Sequence, residues 1–224
     1  MRAFMFDLDG TLSNSVPIIL RTSRLACKEL GIEVSDEVLQ HQIGLPMTLT
    51  GEMFLGPGRA QEYIDCYYRH YDPSDLTAFP GVPEMLADLK QAGFTLALVT
   101  SRRQDSTFDS LRRIGIADMF DRVVCFEDTR NHKPHPEPLR FCCGEVGCAP
   151  DDSLYVGDSV YDMECADAAG LWTFGVTWGV AGEEGMAEKN PVYLARSVEE
   201  LHDKLLNINN GKFLPTVEDL LARE

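Results

Sequence analysis

Short apolar runs alternate with amphipathic segments along most of the chain. The first run, residues 3–8, is apolar at nearly every position, as expected of a strand that is covered on both faces. Similar runs predict five further strands, at 94–100, 122–126, 153–157, 172–176 and 192–195. Helical periodicity predicts helices at 82–92, 104–114, 136–146, 159–169 and 197–206, and a Gly-rich loop follows residue 176. This alternation predicts an α/β fold with a Rossmann-like, doubly wound parallel sheet.

Residues 14–79 have a different pattern, because helical periodicity recurs there without a convincing strand. Ser15 precedes Val16 and Pro17, which is typical of a helix start, and Gly31 ends that periodic segment. Further helices are predicted near 36–43, 47–54 and 58–70. We therefore predict a core domain formed by residues 1–13 and 80–224, with a small α-helical insert at 14–79. The tail, 207–224, is predicted to carry one more short helix, to which no function is assigned.

Composition and charge narrow the range of partners. The formal charge of −16 argues against nucleic acid, because phosphate backbones need clustered Lys and Arg, and it disfavours anionic membrane surfaces. There is no apolar run of membrane-spanning length and no secretory signal, so a cytoplasmic location is expected. The seven cysteines are irregularly spaced and predict buried or incidental thiols. A monomer is the default expectation, and a dimer is left open.

Polar side chains follow the predicted strands at the ends where a parallel sheet binds its ligands. They are Asp7 and Asp9 after the first strand, Thr100 and Ser101 after the second, Lys133 in the loop after the third, and Asp158 and Asp162 after the fourth. Crowded carboxylates repel one another unless a cation lies among them, and oxygen ligands without His or Cys indicate Mg²⁺. A carboxylate beside Mg²⁺ and a lysine can attack phosphorus, which predicts phosphoryl transfer.

Four short motifs occur in order along the chain. They are Asp7-Leu8-Asp9-Gly10-Thr11, Leu98-Val99-Thr100-Ser101, Lys133-Pro134-His135-Pro136, and Gly157-Asp158-Ser159 with Asp162. In this set the chain resembles the haloacid dehalogenase-like (HAD) phosphatases, in particular the phosphoglycolate phosphatase-like subfamily with a helical cap after the first strand. The resemblance covers about residues 1–206.

The resemblance implies a role for each motif residue. Asp7 would be the nucleophile and a Mg²⁺ ligand, and Asp9 would be the general acid/base with its backbone carbonyl on the ion. Thr100, Ser101 and Lys133 would bind the transferring phosphoryl group. Asp158 would bind Mg²⁺ directly, and Asp162 would support the metal site. The helical insert at 14–79 would be the cap domain, which would close over the site and select the substrate.

The resemblance also implies hydrolysis of a small phosphorylated metabolite. Candidates are phosphoglycolate, sugar phosphates, nucleoside monophosphates and inorganic pyrophosphate. A β-phosphoglucomutase-like mutase is an alternative, although such relatives usually lack a Thr at position 11 and carry a basic residue in the cap loop, whereas loop 43–50 has none. A phosphonoacetaldehyde hydrolase would need a cap lysine, and Lys28 is predicted to face solvent. Asp9 argues against a dehalogenase, and a non-catalytic binding protein would show an altered motif.

Several residues near the motifs are left without an assigned role. The segment Gly44-Leu45-Pro46 either faces the substrate or forms a simple turn between helices. Arg102 and Arg103 either contact the substrate or are ordinary charges at a helix start, and the second interpretation is favoured. His132 and His135, which flank Lys133, are interpreted as loop residues without a catalytic role.

Overall fold

The fold is built on a parallel sheet of six strands, and the computed structural model of the chain describes residues 3–208. The strands are β1 (Ala3–Phe6), β2 (Thr95–Val99), β3 (Arg122–Val124), β4 (Ser153–Gly157), β5 (Trp172–Val176) and β6 (Tyr193–Ala195). They lie in the order β3-β2-β1-β4-β5-β6, and every neighbouring pair is parallel. This confirms the predicted doubly wound sheet, in which the strand order reverses between β1 and β4.

The register of the sheet aligns the ends of its central strands. Phe6, the last residue of β1, lies beside Leu98 of β2 and Val156 of β4. The backbone N–H of Asp7 then donates to the carbonyl of Val156 over 2.9 Å, so Asp7 emerges directly at the carboxyl end of the central strand. Asp158 follows β4 across the same crevice. Doubly wound sheets bind their ligands in such a crevice, at the point where the strand order reverses.

Helices cover both faces of the sheet. Among the described residues the helices are, in chain order, α1 (Val16–Glu29), α2 (Asp36–His41), α3 (Met47–Leu55), α4 (Ala60–His70), α5 (Val82–Gln91), α6 (Gln104–Arg113), α7 (Glu137–Val146), α8 (Val160–Ala169), α9 (Gly182–Glu188) and α10 (Val198–Asn207), and those that pack on the sheet come from the set α5–α10. Alternate strand residues point to opposite faces. Phe4 and Phe6 accordingly pack into a cluster with α5, α6 and α10, whereas Met5 and Val99 pack into a cluster with α7 and α8.

Helices α1–α4, which follow β1 and precede β2 in the chain, form a separate helical layer. Their own apolar cluster contains Ala26, Cys27, Leu39, Tyr63, Cys66 and Tyr67. The chain enters and leaves this layer through two adjacent segments. Asn14 N donates to the carbonyl of Thr77 over 2.9 Å, and Phe79 N donates to the carbonyl of Leu12 over 3.0 Å. A separate apolar cluster and a paired junction support the proposed division into a core and a cap.

Local sequence explains where several of these helices begin. Pro17 lies in the first turn of α1, where its missing N–H costs no helical hydrogen bond. The side chain of Ser35 accepts a hydrogen bond from Val38 N and so caps α2. Ser159 and Asp162 form a reciprocal capping box at the start of α8. That box fixes Asp162 in the first turn of a helix that begins at the ligand-binding edge of the sheet.

The structure departs from the predicted elements at one helix and at two strand ends, of which the first is β1, predicted over 3–8 and ending at Phe6. Residues 182–188, predicted as part of a Gly-rich loop, form α9, because tertiary packing outweighs the weak helical propensity of its two glycines. The predicted strand 122–126 ends at Val124, and the chain turns into a 3₁₀ helix at Phe126–Asp128. The described residues end at 208, so the short helix predicted in the tail, 207–224, lies outside them.

The cysteines of the described residues are free thiols, as predicted. All seven cysteines lie within residues 3–208; none is in a disulfide, and six of them are buried. No helix in that same range is long and apolar enough to cross a membrane. The monomeric state and the cytoplasmic location stay predictions.

Candidate active site

Three carboxylates are buried together at the carboxyl edge of the sheet. Asp7, Asp158 and Asp162 are 4%, 1% and 1% exposed, and each offers an oxygen atom within 4.8 Å of the others. Acidic side chains are almost never fully buried without a partner. The cluster therefore needs positive charge close by.

Lys133 supplies one positive charge from the loop after β3. Its Nζ donates to Asp7 Oδ1 over 2.6 Å and to Asp162 Oδ1 over 2.7 Å, and the side chain is 2% exposed. The Tyr155 hydroxyl oxygen lies 3.0 Å from the same Nζ and 2.9 Å from the carbonyl oxygen of Val99. These contacts hold the ammonium group between the carboxyl ends of β1 and β4.

Asp158 is held by two segments that are distant in sequence. Thr11 Oγ1 donates to Asp158 Oδ1 over 2.8 Å, and Val180 N donates to Asp158 Oδ2 over 2.7 Å. The backbone of Gly179 approaches so closely that a Cβ at this position would lie 2.1 Å from Asp158 Oδ2. Only glycine fits there, so the backbone packs directly against the carboxylate.

Burial and mutual repulsion change the acidity of these groups. Burial raises the pKa of Asp7 well above its ordinary value; Lys133 opposes this shift, and Asp162 and Asp158 add to it. Burial, together with the charge of Asp162, raises the pKa of Asp158 to about 7. Burial lowers the pKa of Lys133, but Asp162 and Asp7 raise it more strongly, so the ammonium form is retained. If all three carboxylates were ionised, Lys133 would balance only one of their charges and two negative charges would be left.

This excess of negative charge matches a divalent cation. The cluster formed by Asp7, Asp158 and Asp162 offers only carboxylate oxygens, and an oxygen-only donor set suits Mg²⁺. A cation among the carboxylates would also lower their pKa values and so favour the ionised forms. The residues present therefore fit the predicted Mg²⁺ ion.

The close packing of Gly179 against Asp158 leads to a first prediction. Gly179→Ala is expected to displace the carboxylate and to weaken Mg²⁺ binding about 10–100-fold, the usual effect of losing the contacts that orient a metal ligand. Isothermal titration calorimetry with Mg²⁺ measures this affinity. The control is Gly144→Ala in α7, where an added Cβ meets nothing within 4 Å. Equal Mg²⁺ affinities in the two variants would contradict the prediction.

Asp9, in the turn after β1, has a separate basic partner. Arg102 Nη1 donates to Asp9 Oδ1 over 3.1 Å, and Arg102 Nη2 donates to the Tyr71 hydroxyl over 2.8 Å. Tyr71 directly follows α4, so this guanidinium joins the acid of the core to the cap. The interpretation of Arg102 as an ordinary helix-start charge is wrong. Arg103 does lie at the start of α6, where it is 52% exposed and pairs with Glu127.

The two hydroxyl residues after β2 have different surroundings. Thr100 is 6% exposed, and its Oγ1 accepts a hydrogen bond from Arg102 N over 3.2 Å. Ser101 Oγ instead donates to the backbone carbonyl of Gly44 in the cap over 2.8 Å. Thr100 therefore belongs to the core side of the site, whereas Ser101 connects the core to the cap.

A pocket between the cap and the core gathers most of the predicted residues. Its core side is lined by Asp7, Asp9, Thr100, Ser101 and Lys133. The other two predicted carboxylates, those of Asp158 and Asp162, lie next to this lining. Both are close to Asp7, and Asp162 also pairs with Lys133. The structure thus brings all seven predicted residues to one region.

The cap segment that follows α2 faces this pocket. Ile43, Gly44 and Leu45 all line it. Gly44 has a φ of 97°, and a Cβ there would lie 3.1 Å from Ser159 Oγ of the core. The left-handed backbone and the close approach both favour glycine. The segment therefore lines the pocket, and its contact with a substrate stays a prediction.

Sequence reasoning assigned no role to Thr11, Tyr155 or Arg102. The hydrogen bond from Thr11 joins residues that are 147 positions apart, so no local pattern indicates it. The sequence could have indicated a polar role for Tyr155, because it is the only hydroxyl-bearing side chain in the interior of the apolar strand β4. Arg102 and Arg103 are adjacent and chemically identical, and only their surroundings distinguish them.

A second group of potential metal ligands lies in the cap. Glu29, Cys66 and His70 offer ligand atoms within 4.8 Å of one another. Glu29 already pairs with His70 over 2.6 Å and with Arg69. A guanidinium on the same carboxylate opposes a bound cation, so ion pairing accounts for this group.

Most of the chain matches a single protein family. The sequence profile of haloacid dehalogenase-like hydrolases matches residues 4–176. The chain belongs to the haloacid dehalogenase-like hydrolase family. A phosphoglycolate phosphatase of Nitrosospira multiformis is 36% identical over 80% of this chain and 84% of its own length. The pyrophosphatase PpaX of Bacillus velezensis is 33% identical over 89% of this chain and 94% of its own length.

Solved structures of the family agree with this assignment. The crystal structure of a predicted phosphatase from Clostridium acetobutylicum has a TM-score of 0.80 at 27% identity, and the match covers 92% of this chain and 98% of that one. These similarities confirm the predicted HAD family, the α/β fold and the class of enzyme, a phosphatase.

Proposed function

We propose that this HAD phosphatase hydrolyses a small organic phosphate monoester, with Mg²⁺ as cofactor and Asp7 as covalent nucleophile. The observation that carries the proposal is the position of Asp7. Its carboxylate borders the pocket, accepts a hydrogen bond from Lys133 and lies within 4.8 Å of the carboxylates of Asp158 and Asp162. A carboxylate among cationic groups can attack a phosphoryl group, because those groups neutralise the charge of the transition state.

The proposed reaction has two steps that share one proton carrier. In the first, a bond forms between an Asp7 oxygen and phosphorus, the bond from phosphorus to the alcohol oxygen breaks, and Asp9 gives its proton to that oxygen. In the second, Asp9 takes a proton from a water molecule, whose oxygen forms a bond to phosphorus while the bond between phosphorus and the Asp7 oxygen breaks. Inorganic phosphate and free Asp7 are released. The proton returns to Asp9, so the net reaction is hydrolysis.

The remaining core residues would hold the transferring group. Thr100 and Lys133 would donate hydrogen bonds to phosphoryl oxygens, with their orientation already set by the contacts described above. Ser101 would join them if its hydroxyl turned from the Gly44 carbonyl toward the pocket. Lys133 would also keep Asp7 aimed at phosphorus.

The acidic residues would hold the metal ion. Asp7, Asp158 and the backbone carbonyl of Asp9 would bind Mg²⁺, and Asp162 would support the site through its hydrogen bond with Lys133. When bound, Mg²⁺ would neutralise part of the charge on the transferring phosphoryl group. Thr11 would keep Asp158 oriented for this task.

The names of the relatives supply two starting substrates, phosphoglycolate and pyrophosphate. Both carry a transferable phosphoryl group, so both fit the two-step scheme. No observation favours the alternative of a phosphosugar mutase. Within residues 3–208, the cap side chains that line the pocket include no basic group to hold a second phosphate.

Measurement of phosphate release tests the proposed function. The purified chain is assayed with phosphoglycolate, pyrophosphate, glucose 6-phosphate, a nucleoside monophosphate and benzyl phosphate, first with Mg²⁺ and then with excess EDTA. We expect Mg²⁺-dependent release from at least one substrate and its loss in EDTA. A folded protein that releases phosphate from none of them in Mg²⁺ would overturn the proposal.

The contact between Arg102 and Asp9 leads to a second prediction. Arg102→Met is expected to lower kcat roughly 10–100-fold, because a misplaced proton donor loses its alignment with the reacting oxygen. Arg103→Met is the matched control, since it removes the neighbouring and exposed guanidinium, and its kcat is expected to stay within about twofold. Steady-state kinetics on the best substrate measures both. Equal losses in the two variants would contradict the assigned position of Arg102.

A further inference from the structure

The cap contributes an uncharged wall to the pocket above Asp7 and Asp9. Among residues 3–208, no cap side chain that lines the pocket carries a formal charge. Apolar and aromatic side chains predominate, including Ile43, Met47, Tyr63, Ile64 and Tyr67. Because the core side holds the phosphoryl group in the proposed function, this wall faces the alcohol part of the substrate.

The basic residues on the core side of the pocket are already engaged. Lys133 donates hydrogen bonds to two carboxylates, and in the proposed function it also donates to the phosphoryl group. Arg102 pairs with Asp9, and its side chain is only 15% exposed. Arg103 lies 3.4 Å from Glu127 and is half exposed to solvent. Water screens the charge of Arg103, so in the part of the pocket that the structure describes an anionic leaving group would find no buried counter-ion that is free of another carboxylate.

One polar group in the wall has no partner. Gln42 is 9% exposed and lines the pocket, and its Oε1 accepts no hydrogen bond from the described residues. This oxygen is itself buried and can only accept hydrogen bonds, so it offers none to an anion in the pocket.

We propose that the preferred leaving group is an uncharged alcohol that carries an apolar ring or chain, and that glycolate and phosphate are poor leaving groups here. This inference rests on the proposed function and adds the substrate class. An anion against the cap wall would lose its hydration without gaining a counter-ion, which is strongly unfavourable. A neutral apolar group would remove its own surface and that of the wall from water, which is favourable.

A matched pair of substrates isolates the effect of charge. Benzyl phosphate and 4-carboxybenzyl phosphate break the same type of bond and differ by one carboxylate at the far end of the ring. We expect kcat/KM with Mg²⁺ to be at least about tenfold higher for benzyl phosphate, because only the second substrate brings an unpaired charge to the wall. Benzyl phosphate is also expected to exceed phosphoglycolate and pyrophosphate.

A charge placed on the wall provides the complementary experiment. Thr48 lies exposed in the first turn of α3 and lines the pocket, so substitution there is expected to leave the fold intact. Thr48→Arg is expected to narrow the preference for benzyl over 4-carboxybenzyl phosphate by about threefold or more, since it supplies the missing counter-ion. Thr48→Met, which has similar reach and no charge, is expected to keep the preference of the native protein.

The outcomes separate the substrate class from the proposed function. Equal or higher kcat/KM for 4-carboxybenzyl phosphate, phosphoglycolate or pyrophosphate would overturn the substrate class and leave the phosphatase reaction in place. A preference for benzyl phosphate that Thr48→Arg leaves unchanged would show that charge is not its cause, and it would overturn the inference too. Absence of release from every substrate would overturn the proposed function and the inference together.

Discussion

Asp7→Asn is expected to lower kcat at least about a thousandfold, because an amide oxygen cannot replace a carboxylate as nucleophile. Asp7 borders the pocket, and no other carboxylate that lines it, apart from Asp9, is found among the described residues. Asp9 pairs with Arg102 and is assigned to proton transfer, so it is not expected to substitute for the nucleophile. The measurement is phosphate release in Mg²⁺ with the best substrate.

The matched control for Asp7→Asn is Asp118→Asn. Asp118 is exposed and lies in the 3₁₀ helix Ala117–Met119, just before the amino end of β3 and so at the opposite edge of the sheet. Its kcat is expected to remain within about twofold of the native value, as for most exposed sites. Far-UV circular dichroism confirms that each variant folds. Turnover by folded Asp7→Asn at the native rate would rule out Asp7 as the nucleophile.

Lys133→Met is expected to reduce both stability and activity. It leaves the buried carboxylates of Asp7 and Asp162 without the ammonium that each contacts, and removal of one partner from a buried ion pair costs about 3–5 kcal/mol. The free energy of unfolding, measured by urea denaturation in metal-free buffer, is expected to fall by about that amount. Phosphate release is expected to fall about a hundredfold or more, since a donor to the transferring group is lost.

An exposed lysine provides the comparison for Lys133→Met. Lys189 Nζ lies 2.6 Å from Glu164 Oε1, close to the distance found for Lys133, but the two side chains are 32% and 44% exposed. Lys189→Met is expected to change the free energy of unfolding by less than about 1 kcal/mol, because water screens an exposed pair. Similar stability losses in the two variants would contradict the structural role of Lys133.

The convergence of the strand-end residues could be expected from the sequence. Asp7, Thr100 and Asp158 each follow an apolar run, and parallel strands place their carboxyl ends at one edge of the sheet. The bounds of most helices could also be predicted, because apolar periodicity and Gly or Pro signals are local. Helix α9 was not predicted, because its two glycines give no local helical signal. Packing against the sheet decides its conformation.

Other properties of the site depend on contacts between distant residues. Thr11 and Val180 hold Asp158 from positions on either side of it in the chain, and only the fold brings them together. Arg102 and Arg103 are equivalent in sequence, yet one is bound to Asp9 and the other faces solvent. Ionic partners are chosen by distance and burial, which a linear pattern does not contain.

The sequence by itself determined the family, the order of strands and helices, and the residues that carry the predicted chemistry. These follow from short-range patterns, namely periodic burial and motifs at strand ends. The tertiary structure decided how charge is balanced in the buried cluster and which side chains the cap presents to the pocket. Both depend on the close approach of segments that are far apart along the chain, because Coulomb attraction and desolvation act through space.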